Sequence, residues 1–227
     1  MTFPSVVARD EWVAARKDLL AMEKELTQAR DALSAARRRL PMVEIDEEYV
    51  FEGPAGRATL ADLFEGRRQL IVDHYMFDPS WDEGCSSCAG RVDQYGNLAH
   101  LHARETTMAV VSRAPLAKIE PFKARKGWTF PWYSSYGSEF NYDFHVTLDE
   151  RVAPIEYNYR TQAEWQRAGL PLDFEQPFEL HGTSCFLRDG DRVFHTYSTY
   201  ARGTEQVGGT HYYLDMTALG RQEEREQ

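Results

Sequence analysis

Two cysteines separated by two serines, Cys85 and Cys88, stand in the run "DHYMFDPSWDEGCSSCAG". A cysteine attacks as its thiolate, so a working pair needs one sulfur whose ionisation is favoured and a second able to displace what the first captures. A helix that begins at the pair meets both needs. Its unpaired first N–H groups and positive dipole end favour the thiolate of the leading cysteine, and one turn later the second lies within disulfide reach. This geometry makes Cys85 the attacking sulfur and Cys88 the resolving one. Half of a metal site and two inert thiols are the other readings of the same pair. Zinc takes four ligands, normally from a second C-x-x-C or a histidine pair at knuckle spacing. No second C-x-x-C exists, Cys185 is far along the chain, and His100 and His102 are spaced for one face of a strand rather than of a helix. Neither a metal nor a cofactor is expected.

Groups around the pair bear on its chemistry. Asp78, Asp82 and Glu83 precede Cys85 and oppose the helix dipole, so the direction of its pKa shift is open from sequence. The segment "WTFPWYSSYGSEFNYDFH" supplies rings for a pocket over the dithiol, with Trp132, Tyr133 and Tyr136 as candidate substrate contacts and Trp81 beside the pair. The competing expectation is that Trp128, Phe130, Trp132 and Phe144 are simply core. His145, His181 and His195 are candidate proton-transfer partners, each more ordinary as a structural residue. Period-two alternation in "TSCFLRD" makes Cys185 a small core residue on a strand.

The elements that would position the pair follow from pattern. "RQLIVDHYMF" is a near-continuous apolar strand that ends shortly before Cys85, "CAGRVDQYGNLAHLHAR" is mostly helical, and "TTMAVVS" is a second apolar strand. "APLAKIEPFKARKG" reads as a helix interrupted at Pro121 and closed by Gly127. Strands and helices alternating in this order imply a parallel central sheet with right-handed crossovers. Upstream, "EEYVFEGPAGRATLADLF" reads as a strand, a turn and a short amphipathic helix. Downstream, "GTSCFLRDGDRVFHTYS" is an antiparallel hairpin around Asp-Gly. An insertion of mixed pattern, about residues 148–180, contains one short helix around "QAEWQRAG". "HYYLDMTALGR" is a C-terminal helix, and 221–227 is a disordered tail.

From Ala8 to Leu40 neither Gly nor Pro occurs, and Pro41 follows, so residues 1–41 are expected to form a helical arm and 42–220 the main domain. Trp12, Leu19, Leu26, Leu33 and Leu40 recur every seven residues, with Ala15, Met22, Ala29 and Ala36 three after the first four. That heptad seam points to a homodimer through the helix, with an amphipathic helix lying on its own domain as the competing reading. Arg37 to Arg39 complement the dipole at the helix end. A formal charge of -10 over 227 residues argues against a nucleic-acid partner, and no apolar run is long enough to span a membrane. The first twenty residues lack the apolar core of a signal peptide, so the cytoplasm is the expected location.

The runs "DHYMFDPSWDEGCSSCAG", "VVSRAPLAKIEPFKARKGWTFPWYSSYGSEFNYDF" and "FLRDGDRVFHTYSTYARGTEQVGGTHYYLD", with the long N-terminal helix, resemble the bacterial thioredoxin-like family known as domain of unknown function 899. The resemblance implies an α/β thioredoxin-like fold, a central mixed sheet flanked by helices, with peroxiredoxin-like extensions and a dithiol–disulfide function on an unknown disulfide or small-molecule substrate. Against the better-known thioredoxin pattern, Ser86 and Ser87 replace Gly-Pro, Gly84 replaces Trp, and Thr183 stands where a cis-proline would face the dithiol. Thr183 is therefore a further candidate substrate contact. A peroxiredoxin would carry Thr or Ser at position 82, three before its reactive cysteine; Asp82 stands there. Thiol–disulfide exchange is the leading expectation, with a thiol peroxidase or a small-molecule binding protein as alternatives.

Overall fold

The computed structural model describes residues 4–170, 172–207 and 209–217. The chain divides into two compact units: residues up to Pro41 together with those from Tyr212 onward, and Met42–His211. In the first unit, helix-forming composition gives α1 (Arg9–Arg37), with Asp10 and Glu11 in the first turn and Arg37 in the last, each sign matched to the helix dipole. Arg38 to Leu40 form a closing turn before Pro41. No residue of α1 is buried, and Trp12, Leu19, Leu26 and Leu33 are each about half exposed.

The second unit runs through β1 (Val43–Glu44), β2 (Val50–Gly53), β3 (Gly56–Thr59), β4 (Gln69–His74), α2 (Ser86–Val92), α3 (Ala99–His102), β5 (Thr106–Ser112), α4 (Leu116–Lys126) and β6 (Trp132–Ser134). It continues through α5 (Phe140–Asp143), β7 (Thr147–Leu148), β8 (Glu156–Tyr157), β9 (Arg160–Thr161), α6 (Gln162–Arg167), β10 (Phe178–Glu179), β11 (Gly182–Asp189) and β12 (Arg192–Tyr200). A 3-10 stretch, Ala201–Val207, leads to α7 (Thr210–Leu214), which begins in this unit. The main sheet has the order β1-β12-β11-β4-β5-β6-β2-β3. β4, β5 and β6 are parallel neighbours, while β11 runs antiparallel to β4 and β12 to β11. A strand that leads into the C-x-x-C helix, a parallel strand on one side and an antiparallel hairpin on the other make this a thioredoxin-like fold.

Alternation along these strands splits the core in two. Leu70, Val72, Ala109, Val111 and Phe186 face a cluster that includes Phe64, Phe140 and Phe144. Tyr75, Val110 and Trp132 face Phe77, Val92, Ile119 and Phe122, and this second cluster includes Cys88. The dithiol thus stands over one face only. The insertion begins and ends at an antiparallel pair, Phe178 opposite Leu148 and Glu179 opposite Thr147, and its helix α6 opens with a capping box between Thr161 and Glu164.

Three local expectations are corrected. The segment after Tyr49 is a hairpin, β2 and β3, followed by a 3-10 turn at Asp62–Phe64, rather than strand, turn and amphipathic helix; Gly56 at φ +101 makes the tight turn. The helix after Cys85 stops at Val92 and resumes at Ala99, with Gly96 and Asn97 between, and Asn97 Oδ1 accepts from the Ala99 N–H. α4 runs through Pro121 without a break and ends at Gly127, whose φ of +70 suits the left-handed cap. The proposed domain end at 220 and the tail 221–227 lie outside the described residues.

Candidate active site

Sequence positions Tyr75 to Gly84 form the connection from β4 to α2, and this connection is held at many points. Met76 O accepts from the Cys85 N–H at 3.0 Å, and the Tyr75 hydroxyl donates to Cys85 O at 2.8 Å. Lys118 Nζ, reaching from α4, donates to Pro79 O and Trp81 O, both at 2.8 Å. Asp78 Oδ1 accepts from the N–H and hydroxyl of Ser80, and its other oxygen pairs with Arg113. Arg113 Nε in turn donates to the buried Glu179 at 2.7 Å, which also accepts from Thr147. Gly84 is required here by space: a Cβ would fall 2.5 Å from the Tyr75 ring.

These restraints deliver Cys85 to the N-cap of α2 in extended backbone, half-buried, and Cys88 into the core, 2% exposed. The two sulfurs are not bonded. The Cys88 thiol donates a hydrogen bond to the Cys85 sulfur, and this is the main cause that draws the Cys85 pKa down to about 6. Burial opposes the shift, while the backbone N–H groups of Cys88 and Ser87 and the charge of Arg91 add to it. The same hydrogen bond, with burial, pushes the Cys88 thiol far above its ordinary range. The two sulfurs are thereby made unlike: one ionises near neutrality and the other holds its proton. The direction left open by Asp78, Asp82 and Glu83 is downward. Asp78 is engaged by Arg113 and Ser80, and the exposed Glu83 pairs with Arg125 at 3.1 Å.

A buried charged group missed by motif reading lies beneath α2. Asp73 of β4 is fully buried, and its carboxylate accepts from Arg91 Nε at 3.0 Å, Arg91 Nη2 at 2.7 Å and the Tyr95 hydroxyl. Arg91 Nη1 also reaches Thr204 Oγ1 at 3.3 Å. A visible signal existed: Asp73 is a charged residue inside an otherwise apolar core strand, and a buried carboxylate requires a partner.

The other candidate residues are dispersed. Trp81 packs, partly buried, against the same cluster as the dithiol. Trp132 is fully buried there and donates from its indole to Ser112, so it is core and not a pocket wall. Tyr133, next along β6, points to the opposite face of the sheet, where its ring meets Gly53. Tyr136 is 62% exposed. Adjacent residues on a strand face opposite ways, so Trp132 and Tyr133 cannot line one pocket over the dithiol. Phe144 is likewise core.

Thr183 is buried on β11, across from Asp73, and its hydroxyl has no hydrogen-bond partner among the described residues. Cys185 is half-buried on the same strand, across from Ile71. His195 hydrogen-bonds Ser198 and packs edge-on to Phe144 on the face away from the dithiol. His181 hydrogen-bonds Ala201 O and is pushed down by burial. His145 holds a left-handed turn at φ 51 before β7. Among the described residues no group of three His, Cys, Asp or Glu side chains is placed to hold a metal. No helix of the described residues is long and apolar enough to cross a membrane. An open cleft of about 350 Å³ on the insertion, lined by Pro154, Ile155, Thr161 and Gln162 among others, shares no lining residue with the dithiol.

Solved structures with a similar arrangement include a cysteine-to-serine mutant of peroxiredoxin Q from Xanthomonas campestris, at 13% identity and a TM-score of 0.49, covering 74% of this chain and 91% of that one. Peroxidoxin BcpB from Mycobacterium tuberculosis aligns at 12% identity and a TM-score of 0.47, over 74% of this chain and 93% of that one. Likenesses this loose transfer no residue roles. No curated protein sequence matches the chain. The model of the family described as bacterial protein of unknown function (DUF899) matches residues 1–227, over the same dithiol and the folds that carry it, and the chain belongs to that family.

Proposed function

We propose that this protein is a thiol–disulfide oxidoreductase in which Cys85 attacks and Cys88 resolves. The observation that carries the reading is the asymmetry of the pair: Cys85, half-buried at the start of α2, drawn to about 6, and Cys88, buried, held protonated. The Cys85 thiolate attacks one sulfur of a substrate disulfide, forming a mixed disulfide and releasing the other sulfur as a thiolate that takes a proton. Cys88 then loses its proton and attacks Cys85 Sγ, which releases the second substrate thiol. The substrate gains two electrons and two protons, and Cys85 and Cys88 become a disulfide. An external dithiol returns the pair to its reduced state. Loss of the Cys85 thiolate removes the negative charge that Cys88 hydrogen-bonds, so resolution is favoured only after the first attack.

Replacement of Cys85 by Ser is expected to abolish turnover of a small disulfide such as oxidised glutathione or dithiobis(nitrobenzoate). Replacement of Cys88 by Ser is expected to trap one equivalent of mixed disulfide on Cys85, visible by intact mass. Equal turnover by both variants would sink the reading. The reducing conditions of the cytoplasm suit a free dithiol that must be regenerated. The heptad seam of α1, with Leu19, Leu26 and Leu33 half exposed, supports a second copy of the chain as its partner.

A further inference from the structure

We propose that Arg91 is a positioning residue that holds positive charge against the dithiol, and that Asp73 beneath it sets how much of that charge the two sulfurs feel. The inference rests on the dithiol reading above and concerns what tunes it.

Arg91 lies three residues after Cys88 on α2, which makes the two side chains neighbours on the helix surface. Its guanidinium is held at each nitrogen: Nε and Nη2 bond Asp73 at 3.0 and 2.7 Å, and Nη1 bonds Thr204 at 3.3 Å. Thr204 is tied back by its own bond to Ala201 O at 2.9 Å, and Tyr95 donates to Asp73 from the far side. The arginine side chain is 12% exposed and the aspartate 0%. An ion pair this deep is a poor device for stability alone, because an apolar pair of similar volume would fasten α2 to the sheet at least as well. What an apolar pair lacks is a fixed field. The Arg91 charge acts on both sulfurs in the direction of the thiolate.

The ionisable groups facing this region include Tyr75 just after β4, Asp93 and Tyr95 beyond α2, Tyr157 from β8 and His181 before β11, while Asp78, Asp82, Glu83 and Lys118 stand on or over the connection before Cys85. Burial raises Tyr75, Tyr95 and Tyr157, which stay uncharged at neutral pH, and lowers His181, which stays neutral. Asp93 accepts from the Trp128 indole at 2.8 Å. Arg91 is thus the buried cation that acts on the sulfurs, and Asp73 is the anion bonded to it, whose charge must oppose that of Arg91 wherever the two are felt together.

Opposite effects give a test that mere loosening of the structure cannot imitate. Thiolate formation is followed by ultraviolet absorbance against pH in the reduced protein and its variants. Arg91→Met is expected to raise the Cys85 midpoint by about one pH unit, or about tenfold less thiolate below the midpoint. Asp73→Asn, which keeps an acceptor for Arg91 but removes the negative charge, is expected to lower the midpoint by roughly half a unit. Arg91→Lys keeps the charge and is expected to stay within about 0.3 unit of the parent. Should Arg91→Met fail to fold by circular dichroism, Arg91→Gln takes its place, and the downward shift in Asp73→Asn stands as an independent requirement. Loosening would drive every variant upward, toward an ordinary thiol. Shifts of the same sign, or none, would overturn the proposal. A parent protein that forms no reversible disulfide would end the oxidoreductase reading while leaving the opposed midpoint shifts to stand or fall by themselves.

Discussion

Cys85 carries the most direct chemical expectation. With its thiol drawn from 9.0 to about 6 by the Cys88 hydrogen bond, its reaction with iodoacetamide should rise through about pH 6 and level off above it. A rise centred at the ordinary thiol value would refute the hydrogen-bonded arrangement. The sign for stability follows from the same shift. A folded-state pKa below the unfolded one contributes stability that is complete above the unfolded value and is lost as pH falls through about 6. Reduced protein should therefore melt at a lower temperature at pH 5 than at pH 7, by more than a Cys85→Ser variant does over the same interval. Gly84 makes a second point: Gly84→Ala should push the Tyr75 ring from the Cys85 carbonyl and slow turnover by about tenfold or more while the fold persists, since misplacement by about 1 Å suffices for such losses. Unchanged turnover in Gly84→Ala would show that the loop has slack. The dithiol itself was legible in the sequence because C-x-x-C after an apolar strand is a local pattern. The pairing of Asp73 with Arg91 was not, because a contact between a strand and the helix after it leaves no fixed spacing, and Asp78, Asp82 and Glu83, nearer to Cys85 in sequence, are engaged elsewhere or exposed.

Among the elements, the long helix and the apolar strands could be read from period alone. α1 follows from thirty-odd helix-forming positions without a breaker, and β4 and β5 from apolar runs flanked by polar turns. Boundaries and short pieces were less legible. Pro121 reads as a breaker, yet α4 passes through it, because packing of Ile119 and Phe122 into the dithiol cluster outweighs one missing hydrogen bond. The β2–β3 hairpin looked like strand and helix because a few apolar residues fit either period over so short a stretch. For α1 the heptad seam makes a prediction about association. Leu19→Glu with Leu26→Glu should convert a dimer to a monomer in sedimentation or light scattering, with little change in the cysteine pH profile, since neither residue is buried within the chain. A parent protein that is already monomeric at micromolar concentration would contradict the dimer proposal.

In the molecule as a whole, the main sheet separates two cores, and the C-x-x-C helix α2 stands on only one of them. The opposite core, built around Phe140, Phe144 and Phe186, fills the other face with packed rings, so the two faces of the main sheet are packed independently of each other. This division was foreseen only in outline. Alternating strands and helices imply parallel neighbours, which β4, β5 and β6 are, and the family resemblance adds the mixed sheet, whereas the assignment of the aromatic segment to two faces depends on the register of β6 against β5, with Val110 beside Trp132 and Val111 beside Tyr133. A single step of register decides whether a ring is core or rim, and sequence pattern leaves that step open. The measurement that tests the oxidoreductase account most directly is a redox titration of the purified protein in glutathione buffers, with free thiols alkylated and mapped by mass spectrometry. The account expects one reversible two-electron transition confined to Cys85 and Cys88, between roughly -300 and -120 mV. Failure of that pair to form a disulfide at any buffer potential would contradict it.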